Sequence, residues 1–147
     1  MFRNSVRILI WHVDSFRCVI TERGRSKIIE AFDDPVTAVD EALLVLAAAE
    51  AGDETDREGV ARRTAGEVLS LARQLKVDTV VLHPFAHLFG ELSRPADAVA
   101  LLAEVEEQLA PHLGRVIRTP FGWFNTLDIR AKGHPLSRVA RRITPNT

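Results

Sequence analysis

The sequence predicts an α/β fold in one domain, a mixed β-sheet with packed helices. Three observations carry this. The chain starts with an apolar, β-branched run. Two later stretches repeat their apolar residues at helical spacing, and a short buried strand beginning at Asp78 runs into Pro84-Phe85-Ala86-His87. A chain of 147 residues, 46% hydrophobic and 27% charged, builds one domain and one core without disulfides or metals. The expected unit is residues 1–147, with 143 to 147 as a frayed tail.

Taken in order, Val6 to Val13 reads as a strand, and Phe16 to Thr21 as a second one after a tight turn. Arg23-Gly24-Arg25 marks another turn before a strand from Lys27 to Phe32. Residues 37 to 51 favour helix by propensity, although Leu43-Leu44-Val45-Leu46 also fits a fully buried strand. Thr55 to Lys76 predicts a helix because Val60, Thr64, Val68, Leu71, Ala72 and Leu75 fall on one face. Asp78 to His83 is the buried strand. A second helix runs from Pro95 or Ala96 to Leu109, with Val99, Leu102, Val105 and Leu109 as its stripe and Pro111 as its stop. Arg115 to Thr119 and Phe124 to Arg130 read as strands around a Pro120-Phe121-Gly122 turn, and Leu136 to Arg142 as a short closing helix.

No apolar run approaches the roughly 20 residues a membrane span needs, and no signal peptide is visible at the start, so a cytoplasmic protein is expected. Cys18 has no cysteine to pair with, and no Cys/His cluster has metal-ligand spacing, so neither metal nor other cofactor is expected. The net charge of −1 conceals an asymmetry. Acids crowd 30 to 67, whereas Arg115, Arg118, Arg130, Lys132, Arg138, Arg141 and Arg142 share the C-terminal stretch from 115 to 147 with Asp128 alone. That stretch is either a phosphate-facing surface or a set of solvated faces.

A strand that ends in Pro-Phe-Ala-His puts a histidine and several backbone amides at the mouth of a sheet, where α/β folds place their ligands. The chain has no G-x-S-x-G elbow and Cys18 has no obvious basic partner, so water is the expected nucleophile. Amides around Phe85 to His87 and Phe121 to Gly122 are candidate donors to a developing oxyanion. His87 is the side chain expected to hold or polarise that water, since an imidazole with a pKa of about 6.5 is mostly neutral at pH 7. His83, one residue before Pro84, reads as a partly exposed strand end. His12 and Asp14 either line the site or cap the turn to Ser15. Trp123 and Phe124 stack on a base or pack in the core.

The ordered motifs His12-Val13-Asp14, ALLVLAAAE at 42 to 50, PFAHL at 84 to 88, Pro95, PFG at 120 to 122 and KGHPL at 132 to 136 cover nearly the whole chain. In these the sequence resembles the N-terminal editing domain of archaeal threonyl-tRNA synthetases, which has the D-aminoacyl-tRNA deacylase-like fold. The resemblance implies a strand at 43 to 50, a homodimer, and hydrolysis of the ester joining a wrong amino acid, typically serine, to the terminal adenosine of threonine tRNA. A neighbouring ribose hydroxyl would assist the water. It implies catalytic roles at His87, Asn125 and His134, although Lys132-Gly133-His134-Pro135 also reads as a motif that shapes the chain entering the last helix. Substrate contacts are implied at His12, Asp14, Ala49, Glu50, Pro84, Phe85, Ala86, Pro120, Phe121, Gly122, Trp123, Phe124, Lys132 and Arg138, with Glu50 in the segment that recognises the adenosine.

Two positions depart from the family. Its aromatic-aromatic-lysine run after PFG is Trp123-Phe124-Asn125 here, and the acid two residues after KGHPL is Arg138. Both are positions the family uses in catalysis, and a neutral amide supplies no positive charge to an oxyanion. Three readings follow: a freestanding proofreading deacylase, a repurposed enzyme acting on a small molecule in specialised metabolism, or a noncatalytic module that binds tRNA or a synthetase in trans.

Overall fold

The computed structural model describes residues 6–50, 56–85 and 94–143. They form strands β1 (Val6–Arg23), β2 (Val36–Val39) and β3 (Ala42–Ala49), helix α1 (Arg57–Leu75), strand β4 (Thr79–Pro84) and helix α2 (Pro95–Leu109). A 3-10 turn at Ala110–His112 leads to strands β5 (Arg115–Arg118), β6 (Trp123–Ala131) and β7 (Arg138–Ile143).

β1 organises the sheet. Along one edge its first half pairs antiparallel with β3 and its second half with β2; along the other it pairs with β7 and then β6. β3, β4 and β5 continue the sheet in parallel. The two strands expected at 6 to 13 and 16 to 21 are therefore one. A bulge between Val13 and Ser15 replaces the expected turn, absorbing Asp14 as an extra residue and bending the strand. Val6, Ile8 and Ile10 pack into a core under the helices. Beyond the bulge, Phe16 and Cys18 pack with Leu44, Leu46 and Val81 on the opposite face, so β1 curls back over its own sheet.

With both faces covered, all eight residues of β3 are buried. Such a strand is a continuous apolar run instead of an alternating one, which is why helix propensity misleads there. α1 starts where the Asp56 carboxylate accepts the Gly59 N–H and stops at Lys76 in the left-handed conformation (φ 57°). α2 begins with Pro95, and its buried face is Ala98, Leu101, Leu102, Val105 and Leu109. Val99 sits to one side of it.

Two elements differ from expectation. Lys27 to Phe32 has no regular structure, and the edge strand β2 lies further along the chain. The expected helix at Leu136 to Arg142 is instead β7, whose residues pair with β1 from Val6↔Ile143 to Trp11↔Arg138. Ile143 is 4% exposed at the end of that strand, one residue inside the expected tail. Among the described residues no helix is long and apolar enough to cross a membrane.

Candidate functional site

A cavity of about 490 Å³ opens at the C-terminal ends of β3 and β4. Its walls are Ala47, Ala48 and Ala49; His83, Pro84 and Phe85; Pro95, Ala98 and Leu102 of α2; the segment Gly24, Arg25, Ser26; and Phe121 to Asn125 with Leu127. The volume is that of a small-molecule site. The ends of parallel strands are where α/β sheets bind ligands, because the strands stop there and the loops diverge.

The wall at Phe121 to Trp123 is held from behind by Glu30. Its carboxylate accepts the Phe121 N–H at 3.0 Å, its own N–H donates to the Phe121 carbonyl at 3.0 Å, and its carbonyl accepts the Trp123 indole N–H at 2.7 Å. Arg118 grips the same carboxylate at 2.6 Å and reaches Glu106 of α2 at 3.2 Å. Burial disfavours the Arg118 charge, but the hydrogen bonds and charges of Glu30 and Glu106 outweigh it and raise its pKa. Gly122 turns the chain at φ 95°, with the Ile28 carbonyl where a Cβ would come within 2.7 Å. These contacts help explain why Lys27 to Phe32 is not a strand: the Glu30 N–H and carbonyl at its centre are committed to the turn beside it.

Of the residues expected at the site, Ala49, Pro84, Phe85, Phe121, Gly122, Trp123, Phe124 and Asn125 do line the cavity. Trp123 is fixed by Glu30 and meets Phe32 edge-on at 4.9 Å, whereas Phe124 is 52% exposed at the mouth. Ala86 and His87 lie outside the described residues. Two of the candidate oxyanion donors are already engaged, for the Phe85 N–H donates to Ala47 and the Phe121 N–H to Glu30. Among the described residues this leaves the Gly122 N–H. Glu50, next to Ala49, is buried and pairs with Arg7 at 3.1 Å. Pro120 lies between Thr119 and the turn and is not part of the lining.

The remaining candidates gather elsewhere. His12 opposes Leu43, at the other end of β3 from Ala48, roughly 16 Å away at about 3.3 Å per residue. There the Leu136 N–H donates to His134 Nδ1 (3.2 Å), His134 Nε2 lies 2.8 Å from His12 Nδ1, and His12 Nε2 lies 2.8 Å from Glu41. One chain of donors thus sets both tautomers. Lys132 pairs with Asp14 inside the bulge, a hydrogen bond that lowers the Asp14 pKa and raises that of Lys132. Arg138 lies with its guanidinium 5.9 Å from the Trp11 ring. In this chain, His12, Asp14, Lys132, His134 and Arg138 lie outside the cavity lining, and the His12–His134–Glu41 and Asp14–Lys132 contacts tie down the bend of β1.

The residue that sequence reasoning missed is His83. It is 3% exposed yet lines the cavity, with Nδ1 2.7 Å from the Thr119 hydroxyl and its ring edge-on to Phe16 at 6.0 Å. Its position before a proline signals a strand end, but β4 continues through Pro84 and the curled half of β1 covers it. Burial pushes the imidazole pKa down to about 4. Between pH 6.5 and 4 the unfolded chain therefore takes up a proton that the folded chain refuses, so this group lowers stability as pH falls through that window. The loss is about 2–3 kcal/mol by pH 4.5. Urea titrations at pH 7 and 4.5 are expected to show this loss in the wild type and to lack that increment in His83→Gln. Cys18 is buried and its thiol pKa is raised by burial, so it is no nucleophile.

The curled mixed sheet and its cavity define a deacylase-type fold. A solved structure titled as a probable eukaryotic D-amino acid tRNA deacylase superposes with a TM-score of 0.66, covering 95% of this chain and all of that one at 12% identity. The family described as the archaea-specific editing domain of threonyl-tRNA synthetase matches residues 6–143, and the chain belongs to it. It is 39% identical over 139 residues to a threonine–tRNA ligase of Methanococcus maripaludis and 36% identical over 141 residues to one of Methanosphaera stadtmanae. Each alignment covers 95% of this chain but only 22% and 23% of those ligases.

Proposed function

We propose that this chain is an aminoacyl-tRNA deacylase that hydrolyses mischarged seryl-tRNA(Thr) by attack of water on the aminoacyl ester. The observation that carries the reading is the cavity at the ends of β3 and β4, lined at 84 to 85 and 121 to 125 by segments in which the sequence resembles the editing domains, in a chain that matches that family over residues 6–143. An aminoacyl ester of ribose is already activated. The site need only place a water, hold the carbonyl against a donor and exclude wrong orientations. The free Gly122 N–H supplies a donor, and exposed Phe124 offers a face on which the terminal base stacks. His87, in the segment after Phe85, is proposed to hold the water.

The test is the deacylation rate of seryl-tRNA(Thr) against threonyl-tRNA(Thr) at catalytic protein concentration, with a no-enzyme control. Faster loss of serine supports proofreading, and no acceleration of either substrate sinks it. Asn125 lines the cavity where the family has a lysine, which favours as second reading an enzyme whose substrate has shifted to a small molecule. Asn125→Lys separates the two. If the amide lowered an ancestral activity, the variant is expected to deacylate seryl-tRNA(Thr) about 10-fold faster, the scale of a charged hydrogen bond to an oxyanion.

A further inference from the structure

We infer that His83 reads the side-chain hydroxyl of the bound aminoacyl group and so decides which esters the cavity accepts, an inference that rests on the deacylase reading above. A tRNA cannot enter a cavity of about 490 Å³. Its 3′ end must come in through the mouth with the aminoacyl group foremost. The rim carries exposed Arg25 and Phe124, whereas His83 belongs with Ala47, Ala98 and Leu102 to the buried part of the lining. The amino-acid side chain therefore meets the imidazole, while ribose and base remain near the rim.

The ring is held ready for this. The Thr119 hydroxyl lies 2.7 Å from Nδ1 and is itself 3.4 Å from the Leu82 carbonyl, which also accepts the Thr119 N–H. Phe16 packs edge-on against the ring. Nε2 is the ring atom left for a ligand. Burial keeps the imidazole neutral at physiological pH, so Nε2 donates or accepts one hydrogen bond according to tautomer. A hydroxyl answers either case. A methyl group answers neither, and once water is expelled it leaves a buried polar atom unpaired. Esters of serine and threonine are accepted on this ground and those of alanine and glycine rejected. Serine and threonine are then distinguished by the fit of one methyl group.

The experiment compares single-turnover deacylation of seryl- and alanyl-esters of the same tRNA, which differ only in the hydroxyl, by wild type, His83→Leu, His83→Gln and Thr119→Val. Wild type is expected to prefer the seryl ester by about 10- to 100-fold in kcat/KM, the range for leaving a buried polar group unpaired. The ratio should collapse toward one in His83→Leu, recover in part in His83→Gln, and fall several-fold in Thr119→Val, where the ring loses its tether. Equal wild-type rates on the two esters overturn the inference without any variant, so it stays decidable even if His83→Leu does not fold. A His83→Leu that slows both esters in the same proportion also overturns it, since a group that merely holds the water serves every ester alike. A wild type inactive on all aminoacyl-tRNAs overturns the deacylase reading itself, whereas an active but unselective one removes His83 alone.

Discussion

Gly122→Ala is expected to lower stability by about 2–4 kcal/mol and to remove most turnover. Two effects add. At φ 95° an L side chain is strained, and the new Cβ would sit 2.7 Å from the Ile28 carbonyl and 2.7 Å from Ile29 Cδ1. The Ile29 contact relaxes by rotation, but the Ile28 contact is with backbone, so the turn must move. The Gly122 carbonyl accepts the Gly24 N–H at 2.9 Å, and a displaced turn carries residues 24 to 26 with it. Both segments line the cavity, and the Gly122 N–H is the donor proposed for the oxyanion among the described residues. Gly24→Ala is a useful companion, since its Cβ would meet the Gly122 carbonyl at 2.5 Å without any strain from a positive φ. It should produce the loss of turnover with a smaller loss of stability, as read by urea denaturation beside the deacylation assay.

The parts of this architecture that were legible in the sequence are those whose pattern is local. α1 announces itself by the spacing of Val60, Thr64, Val68 and Leu71, and α2 by Pro95 and its apolar stripe. β3 was ambiguous because Leu43 to Ala49 is good helix by propensity; burial on both faces decides for strand, and the family resemblance pointed the same way. β7 carries a misleading local signal for a related reason. Arg138 to Arg142 suits a helix end, yet Val139 and Ile143 face the core and the backbone pairs with β1, so tertiary pairing overrides local preference. Nothing local marks Asp14 as a bulge, since its role follows from β1 having to serve both layers.

The cavity lining was half legible on the same grounds. PF at 84 and FGWFN at 121 to 125 converge because β4 ends beside the turn that opens β6. KGHP and His12 share motif character with them, but the curl of β1 carries those residues to the opposite end of the sheet. Only pairing register reveals this separation. The basic C-terminal stretch from Arg115 onward also proves less available to phosphate than its composition implies. Arg118 is consumed by Glu30 and Glu106, Lys132 by Asp14, and Arg141 lies 3.6 Å from Glu67.

Arg118→Ala is expected to cost about 2–4 kcal/mol, because among the described residues it leaves the Glu30 carboxylate, in a half-buried position, with the Phe121 N–H as its remaining partner. The effect on turnover should be larger than that on folding. Arg118 joins three elements around the cavity: its own strand β5, the Glu30 segment that fixes the lining residues Phe121 and Trp123, and, through Glu106, helix α2, whose Pro95, Ala98 and Leu102 are a wall. Once that link is cut the walls keep their individual folds but lose their common reference, and a misplacement of about 1 Å in a catalytic site costs on the order of 10²-fold. Arg118→Lys retains the charge but not the fork that spans two carboxylates, so an intermediate loss is expected. Glu106→Gln leaves the Glu30 contacts intact and should cost about 1 kcal/mol or less, the Glu106 side chain being 34% exposed. Assays run well below the melting temperature of each variant keep all of them folded. A rate that falls only in proportion to the unfolded fraction would show that Arg118 holds the fold and does not set the site.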